Sequence, residues 1–441
     1  MTDQEKTMEY TASKMTPDDF IRLKAAAEGG DVNAMGKLAE RYLYGDGTDG
    51  NPEAAELWLK KLDDYWGEKF LKTGEMEAGE SQRAVLGNLT LALCNRKQYE
   101  AAREANKKQR RVVKLMRAHE DTDDVRRKLG YVYIQAALVS EIEKKPAEEI
   151  PWLKKALGVF LPIYQKQKTK FWMTDVNTAY QYLKDACTEL GSKEEAIDWQ
   201  EKSIAIRMET DADKMSKSER ISLAADCHSC AFACSKTDRR QDAIEYYEKA
   251  IELREGILAE TGGSSALRKN LSGSCHNLAG LYRKKKQWET AEMYYCRAIE
   301  LREALLKEDA TEVVKKSLAY SYHFLGMVLH SEERFEDADH AFQKAIELRE
   351  NLYFNMKVNS VRADLSATYR RIGLNSYSAK RFAEARSWLE KSLELRTLIC
   401  EEEKTKSAQE DVEQICRDFA DLCAAEGNDA EAQEWMVKIS Q

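Results

Sequence analysis

Small and apolar residues return at fixed places along this chain. The segment KAIELRE occupies 249–255 and again 344–350, RAIELRE occupies 297–303, and KSLELRT occupies 391–397. Their arginines, Arg254, Arg302, Arg349 and Arg396, stand 48, 47 and 47 residues apart. A constant interval of that size marks a repeated supersecondary unit. One alanine column follows the same interval through Ala102, Ala196, Ala243, Ala291, Ala338, Ala385 and Ala432, and only the unit near Glu149 departs from it. Seven residues further on, a second small column reads Ala156, Ser203, Ala250, Ala298, Ala345 and Ser392, with Tyr247, Tyr295, Phe342 and Leu389 between the two. Paired positions upstream read Leu278-Ala279, Leu325-Gly326, Ile372-Gly373 and Phe419-Ala420. Spacings of three, four and seven place such residues on one helical face, and small side chains there let two helices approach closely. The pattern predicts helical hairpins, one per interval.

Proline supports that reading. The five prolines are Pro17, Pro52, Pro146, Pro151 and Pro162, so nothing after Pro162 forbids helix. Before the repeats, residues 1–15 are polar and without period and read as a flexible tail. Thr16-Pro17-Asp18-Asp19 then has the form of a helix start.

Composition narrows the class. The 441 residues are 43% hydrophobic and 33% charged, which suits a chain that folds in water. No run of eighteen apolar residues occurs and the first residues lack a signal-peptide order, so a cytoplasmic location and no membrane partner are expected. Ten cysteines without dense spacing read as reduced thiols. A net charge of -8 argues against nucleic acid as a general partner.

Residues 16–70 carry small residues around Ala25–Ala27, a loop of Gly45-Asp46-Gly47, and a helix with Ala54, Ala55 and Trp58. This order resembles a Sel1-like repeat. Gly45, Gly47 and Gly50 also fit the dinucleotide fingerprint, but a helix precedes them and Asp46 and Asp49 would repel phosphate, so the segment reads as a turn.

Residues 71–441 form eight units whose columns, Leu-Ala/Gly-x-x-Tyr followed by Ala, aromatic and Ala, resemble the tetratricopeptide repeat. The unit is longer than the family's usual one and lacks its closing proline; Glu255, Glu303, Glu350 and Thr397 stand in its place, which predicts second helices that run on by a turn or two. The resemblance implies an all-α fold, a right-handed superhelical solenoid of antiparallel helix hairpins, the last unit being a carboxy-terminal cap. It also implies an inner face made by the first helices, where partners bind.

On that face one column reads His228, His276, His323 and Arg370. The resemblance makes these the expected peptide contacts, together with Phe232, Asn277, Arg283, Met327, His330, Leu374 and Tyr377. Such a mixture suits an extended protein or peptide partner with acidic and hydrophobic side chains. Imidazoles titrating near neutrality would make anion binding tighter below about pH 6.5. Histidines in place of the family's carboxylate-clamp lysines argue against a chaperone-tail site. The alternatives are a peptide-sensing regulator and a metal protein built on Cys227, Cys230 and Cys234, whose sulfurs share one helical face. In register these cysteines fall in packing columns with Cys275, Leu278 and Tyr282, which favours plain core packing. No catalytic constellation appears, so neither enzyme activity, nor a cofactor, nor a bound metal is expected.

Overall fold

The computed structural model describes residues 16–45 and 50–439; the tail expected over 1–15 and most of the Gly45–Gly50 loop lie outside the described residues. Among the described residues there are nineteen α-helices and no strand. The chain divides into two compact units, 1–214 and 215–441. No helix of the described residues is long and apolar enough to cross a membrane.

In the first unit, α1 (Pro17–Glu28) starts where the sequence places it, with the Thr16 hydroxyl accepting from the Asp19 amide at 3.2 Å. It is followed by α2 (Val32–Tyr44), which ends on Gly45 at φ 73°, a left-handed cap that glycine adopts without strain. Then come α3 (Pro52–Thr73), α4 (Met76–Asn95), α5 (Tyr99–His119), α6 (Asp123–Ile142), α7 (Pro146–Gln167), α8 (Lys170–Glu189) and α9 (Lys193–Met208). Helix α7 keeps both Pro151 and Pro162 inside it. Each removes a backbone donor, and the buried Leu153, Phe160 and Tyr164 on the same helix offset that loss.

The second unit consists of five hairpins in series. These are α10 (Lys217–Ser235) with α11 (Arg240–Thr261), α12 (Ser265–Lys284) with α13 (Trp288–Glu308), α14 (Glu312–Ser331) with α15 (Phe335–Glu350), α16 (Arg362–Ser378) with α17 (Phe382–Glu403), and α18 (Lys406–Ala425) with α19 (Asp429–Ile439). The second helices do run on, α11 to Thr261, α13 to Glu308 and α17 to Glu403, while α15 passes into a π-turn over Asn351–Asn355. First helices of successive hairpins also touch, α12 with α14, α14 with α16 and α16 with α18, so they form one layer.

The small columns lie in the hairpin seams. Ala243, Ala291, Ala338 and Ala385 are wholly buried, as are Ala250, Ala298, Ala345 and Ser392. Tyr247, Tyr295, Phe342 and Leu389 fill the space between them and are themselves buried. Each such side chain contributes about 2–3 kcal/mol by leaving water. The first-helix partner is cut to fit: a Cβ added to Gly326 would stand 2.7 Å from the Phe342 ring, closer than carbon atoms pack. Ser366 and Ser392, both buried, bridge α16 and α17 through their hydroxyls at 3.0 Å.

Candidate functional site

The second unit brings the histidine column onto its first-helix layer, but each ring is turned along the layer toward the next repeat. His228 Nδ1 on α10 lies 2.8 Å from the Ser274 hydroxyl on α12. His276 Nδ1 lies 3.2 Å from the Ser321 hydroxyl on α14, and His323 Nδ1 lies 3.2 Å from the Thr368 hydroxyl on α16. The other face of each hydroxyl is occupied by the repeat's own arginine. Arg254 Nη1 donates to Ser274 and to the Asn270 carbonyl, Arg302 Nη1 to Ser321 and the Ser317 carbonyl, and Arg349 Nη1 to Thr368 and the Asp364 carbonyl. Arg302 and Arg349 also reach His276 and His323 Nδ1 at 3.4 Å.

With a guanidinium donating to the serine oxygen, the hydroxyl hydrogen is left to point at Nδ1. In His228 and His276 that nitrogen is therefore the acceptor, and the ring proton sits on Nε2. Each ring also packs edge-on against the aromatic of its own hairpin: His228 on Tyr247 at 5.2 Å, His276 on Tyr295 at 5.4 Å and His323 on Phe342 at 5.9 Å.

This environment moves the titration expected near pH 6.5. Burial first, and then the Arg254 charge, lowers the His228 pKa to about 4. Burial and the charges of Arg302 and Arg283 lower that of His276 to about 3. His323 is lowered as well, by burial and then by Arg349, Arg371 and Arg283. The imidazoles are neutral at physiological pH, so the tightening of anion binding below pH 6.5 does not follow.

Arg370, the fourth member of the column, reaches from α16 to α18 and holds the buried Asp418 with two nitrogens, Nη2 at 2.9 Å. The first unit contains the same device between α6 and α8, where Arg127 holds Asp175 at 2.5 and 3.0 Å. His330 Nδ1 lies 2.8 Å from Asn375 Oδ1, the amide of which donates to the Phe335 carbonyl and to Asp339. Asn277 donates to the Tyr247 hydroxyl at 3.2 Å, and Tyr377 packs on Phe382.

Two hollows on the layer gather most of the expected residues. One, of about 180 Å3, is lined by Phe232, His276, Asn277 and Arg283. The other, of about 290 Å3, is lined by His323, Met327 and Arg370. Phe324 lines both, and Phe232 is half exposed with Lys236 above its ring at 5.0 Å. His228 lines a third cavity, while His330, Leu374 and Tyr377 line none of the three.

Sequence reasoning named Arg283 but missed Arg371, and with it the pair of cations that sets the charge of this face. The Arg283 guanidinium lies 5.0 Å over the Phe324 ring, and its buried Nε has no hydrogen-bond partner among the described residues. Arg371 has its pKa lowered by burial first and then by Arg370, with Asp418 opposing and Arg283 adding to the effect. Among the described residues neither Arg283 nor Arg371 is held by a carboxylate. It also missed Arg254, Arg302 and Arg349 as buried anchors, although their conserved spacing to Ser274, Ser321 and Thr368 (20, 19 and 19 residues) is visible in the repeats.

Cys227, Cys230 and Cys234 are fully buried on α10, as packing columns require, and His228 Nδ1 is engaged with Ser274.

A family model described as tetratricopeptide repeat matches residues 319–352, which span α14 and α15. A second, described as a protein of unknown function (DUF2753), matches residues 229–323. No curated protein sequence matches the chain. Among solved structures, BtubC from P. vanneervenii is 19% identical over 58% of this chain and 92% of that one, with a TM-score of 0.39. The apo form of RapI is 14% identical over 81% of this chain and 97% of that one, with a TM-score of 0.41. A signal-transduction ATPase with a tetratricopeptide repeat sensor from Pyrococcus horikoshii is 14% identical, with a TM-score of 0.43; 83% of this chain matches 52% of that protein.

Serial antiparallel hairpins with small residues in every seam define an all-α repeat protein of the solenoid class. With the family match lying on one such hairpin, the chain is a tetratricopeptide-type repeat protein.

Proposed function

We propose that this protein is a non-catalytic scaffold that binds an extended, acidic peptide segment of a protein partner along the first-helix layer of its second unit. The observation that carries this reading is the pair Arg283 and Arg371, cations without a carboxylate partner among the described residues, on either side of α14. Guanidinium groups in that state favour carboxylates, which they bind with two parallel hydrogen bonds. Phe324 and Met327 on α14 and Phe232 on α10 offer apolar surface beside them, so acids alternating with aromatic or aliphatic side chains match the layer. Arg370 flanks this surface with its charge already matched by Asp418, and Asn277, Leu374 and Tyr377 extend it. His228, His276, His323 and His330 form its back wall and hold the helices in register.

The Sel1-like reading of residues 16–70 belongs to the same proposal; Leu38, Ala39, Ala55, Trp58 and Leu59 share one core there, as a repeat of that kind requires. A reducing, cytoplasmic setting fits the buried thiols. Neither nucleic acid nor a membrane is part of the reading, given the net charge of -8.

Selection from a random peptide display library on the purified full chain tests the reading. Enriched sequences should be net acidic with regularly placed aromatic or aliphatic residues. Enrichment of basic sequences, or none above an unrelated helical-repeat control, would overturn it.

A further inference from the structure

Two successive repeats treat the same arginine differently. Arg349 on α15 has the ring of Tyr320 beside it, 5.1 Å from the guanidinium carbon. The Tyr320 hydroxyl donates to Asp364 at 2.5 Å, so a ring and a carboxylate together cover the cation. One repeat earlier, 47 residues back, the equivalents of Arg349, Tyr320 and Asp364 are Arg302, Gly273 and Ser317. Both covering groups are missing. A Cβ placed on Gly273 meets nothing within 4 Å, and a cavity of about 560 Å3 opens between α12 and α14 around it.

Arg302 forms the floor of that cavity. It is buried, and among the described residues it hydrogen-bonds only through Nη1 while its buried Nε has no partner. Arg254 lines the same cavity and among the described residues is likewise bonded only through Nη1. The walls are apolar, from Ala266, Leu305, Val313 and Val314. At the rim, Lys269 and Asp309 oppose one another in charge, and Glu308 is taken by Arg268 and the Ser265 hydroxyl. Buried cationic nitrogens without an acceptor are costly, and a ligand that supplies one recovers that cost on binding. The volume is that of a small-molecule site.

We propose that the cavity between α12 and α14 binds a carboxylate carried on a flat apolar body, an aryl carboxylate, which gives Arg302 the ring and the acid that Tyr320 and Asp364 give Arg349. The chemistry is shared by a free aryl acid and by a chain terminus ending in an aromatic residue. This site shares His228 and helices α12 and α14 with the layer proposed above, but it works through Arg302 and does not rest on that reading.

The test is a titration of the full chain, by calorimetry and ligand-observed NMR, with 3-phenylpropionate and with N-acetyl-glycyl-phenylalanine. The control is 3-phenylpropionamide, which keeps the ring and lacks the charge. The double variant G273Y/S317D copies the neighbouring repeat into the cavity, and S317D alone places a carboxylate near Arg302 without filling the space. Ligands of this size bind at about millimolar dissociation constants or tighter. At least one acid should saturate; the amide should bind at least about tenfold more weakly. Both variants should lose about tenfold or more while keeping the helical circular-dichroism signal of the wild type. A preference for the free acid identifies a small-molecule site, and a preference for the capped dipeptide identifies a chain-end site. No saturable binding of either acid up to about 10 mM, or equal binding by wild type and both variants, would overturn the proposal.

Discussion

Arg302 donates to the Ser321 hydroxyl, and that same oxygen lies 3.2 Å from His276 Nδ1. The three residues come from α13, α14 and α12, so one hydroxyl joins a second helix to the first helices of two repeats. The arrangement recurs with Arg254, Ser274 and His228, and with Arg349, Thr368 and His323. Repetition of a local packing unit is thereby accompanied by repetition of the joint between units.

The joint makes stability depend on pH in a stated direction. His276 has a folded pKa of about 3, below the ordinary 6.5 of the unfolded chain, so the unfolded state takes up the proton first as pH falls. The contribution is fully present above about pH 6.5 and is lost progressively toward pH 4, by up to about 3 kcal/mol for this residue. Denaturant melts of wild type and H276Q at pH 7.5 and pH 4.5 check this. The wild type should lose more stability than H276Q between the two values; equal losses would mean that the ring is not held neutral.

Glu149 is the one member of the alanine column that is not small and apolar. It is buried on α7, Oε1 has no hydrogen-bond partner among the described residues, and its pKa is raised to about 7 by burial first and then by Glu141, Glu189 and Asp185. A carboxyl with a raised folded pKa costs little below about pH 4.5 and increasingly more as pH rises through 7. E149A should therefore stabilise the protein by about 1–3 kcal/mol at pH 8, with a smaller gain at pH 5. Thermal melts at the two pH values measure both.

Gly326 faces Phe342 across the α14–α15 seam with no room for a methyl group. G326A should cost about 1–3 kcal/mol by overpacking, despite alanine's better helix propensity. F342L should recover part of the loss, because the next repeat pairs Gly373 with Leu389 and leaves a Cβ 3.1 Å from the leucine. A chemical-denaturation double-mutant cycle reads the coupling.

The seams were legible in the sequence because small residues at fixed spacing have one packing explanation, and Ala243, Ala291, Ala338 and Ala385 are buried where that explanation puts them. The histidine column was legible as a column, yet its surroundings were not. His276 meets a serine 45 residues away and an arginine 26 residues away, contacts made across three helices that the periodicity of one helix does not encode. The same limit hid Arg371, and the field that it and the expected Arg283 share around His323 from helices that flank its own. Nor does the repeat interval announce the division at 214, where a short turn over Ala212–Lys214 separates the units.

The central claim is that the unneutralised arginines of the first-helix layer select an acidic partner. Fluorescence anisotropy with a labelled peptide of alternating glutamate and phenylalanine, comparing wild type with R283E/R371E, measures it directly. The account predicts that wild type binds with an affinity that falls as salt rises, and that the charge-reversed variant loses about tenfold or more while melting as a folded protein. Equal affinity of the two proteins, or tighter binding by the variant, would contradict it.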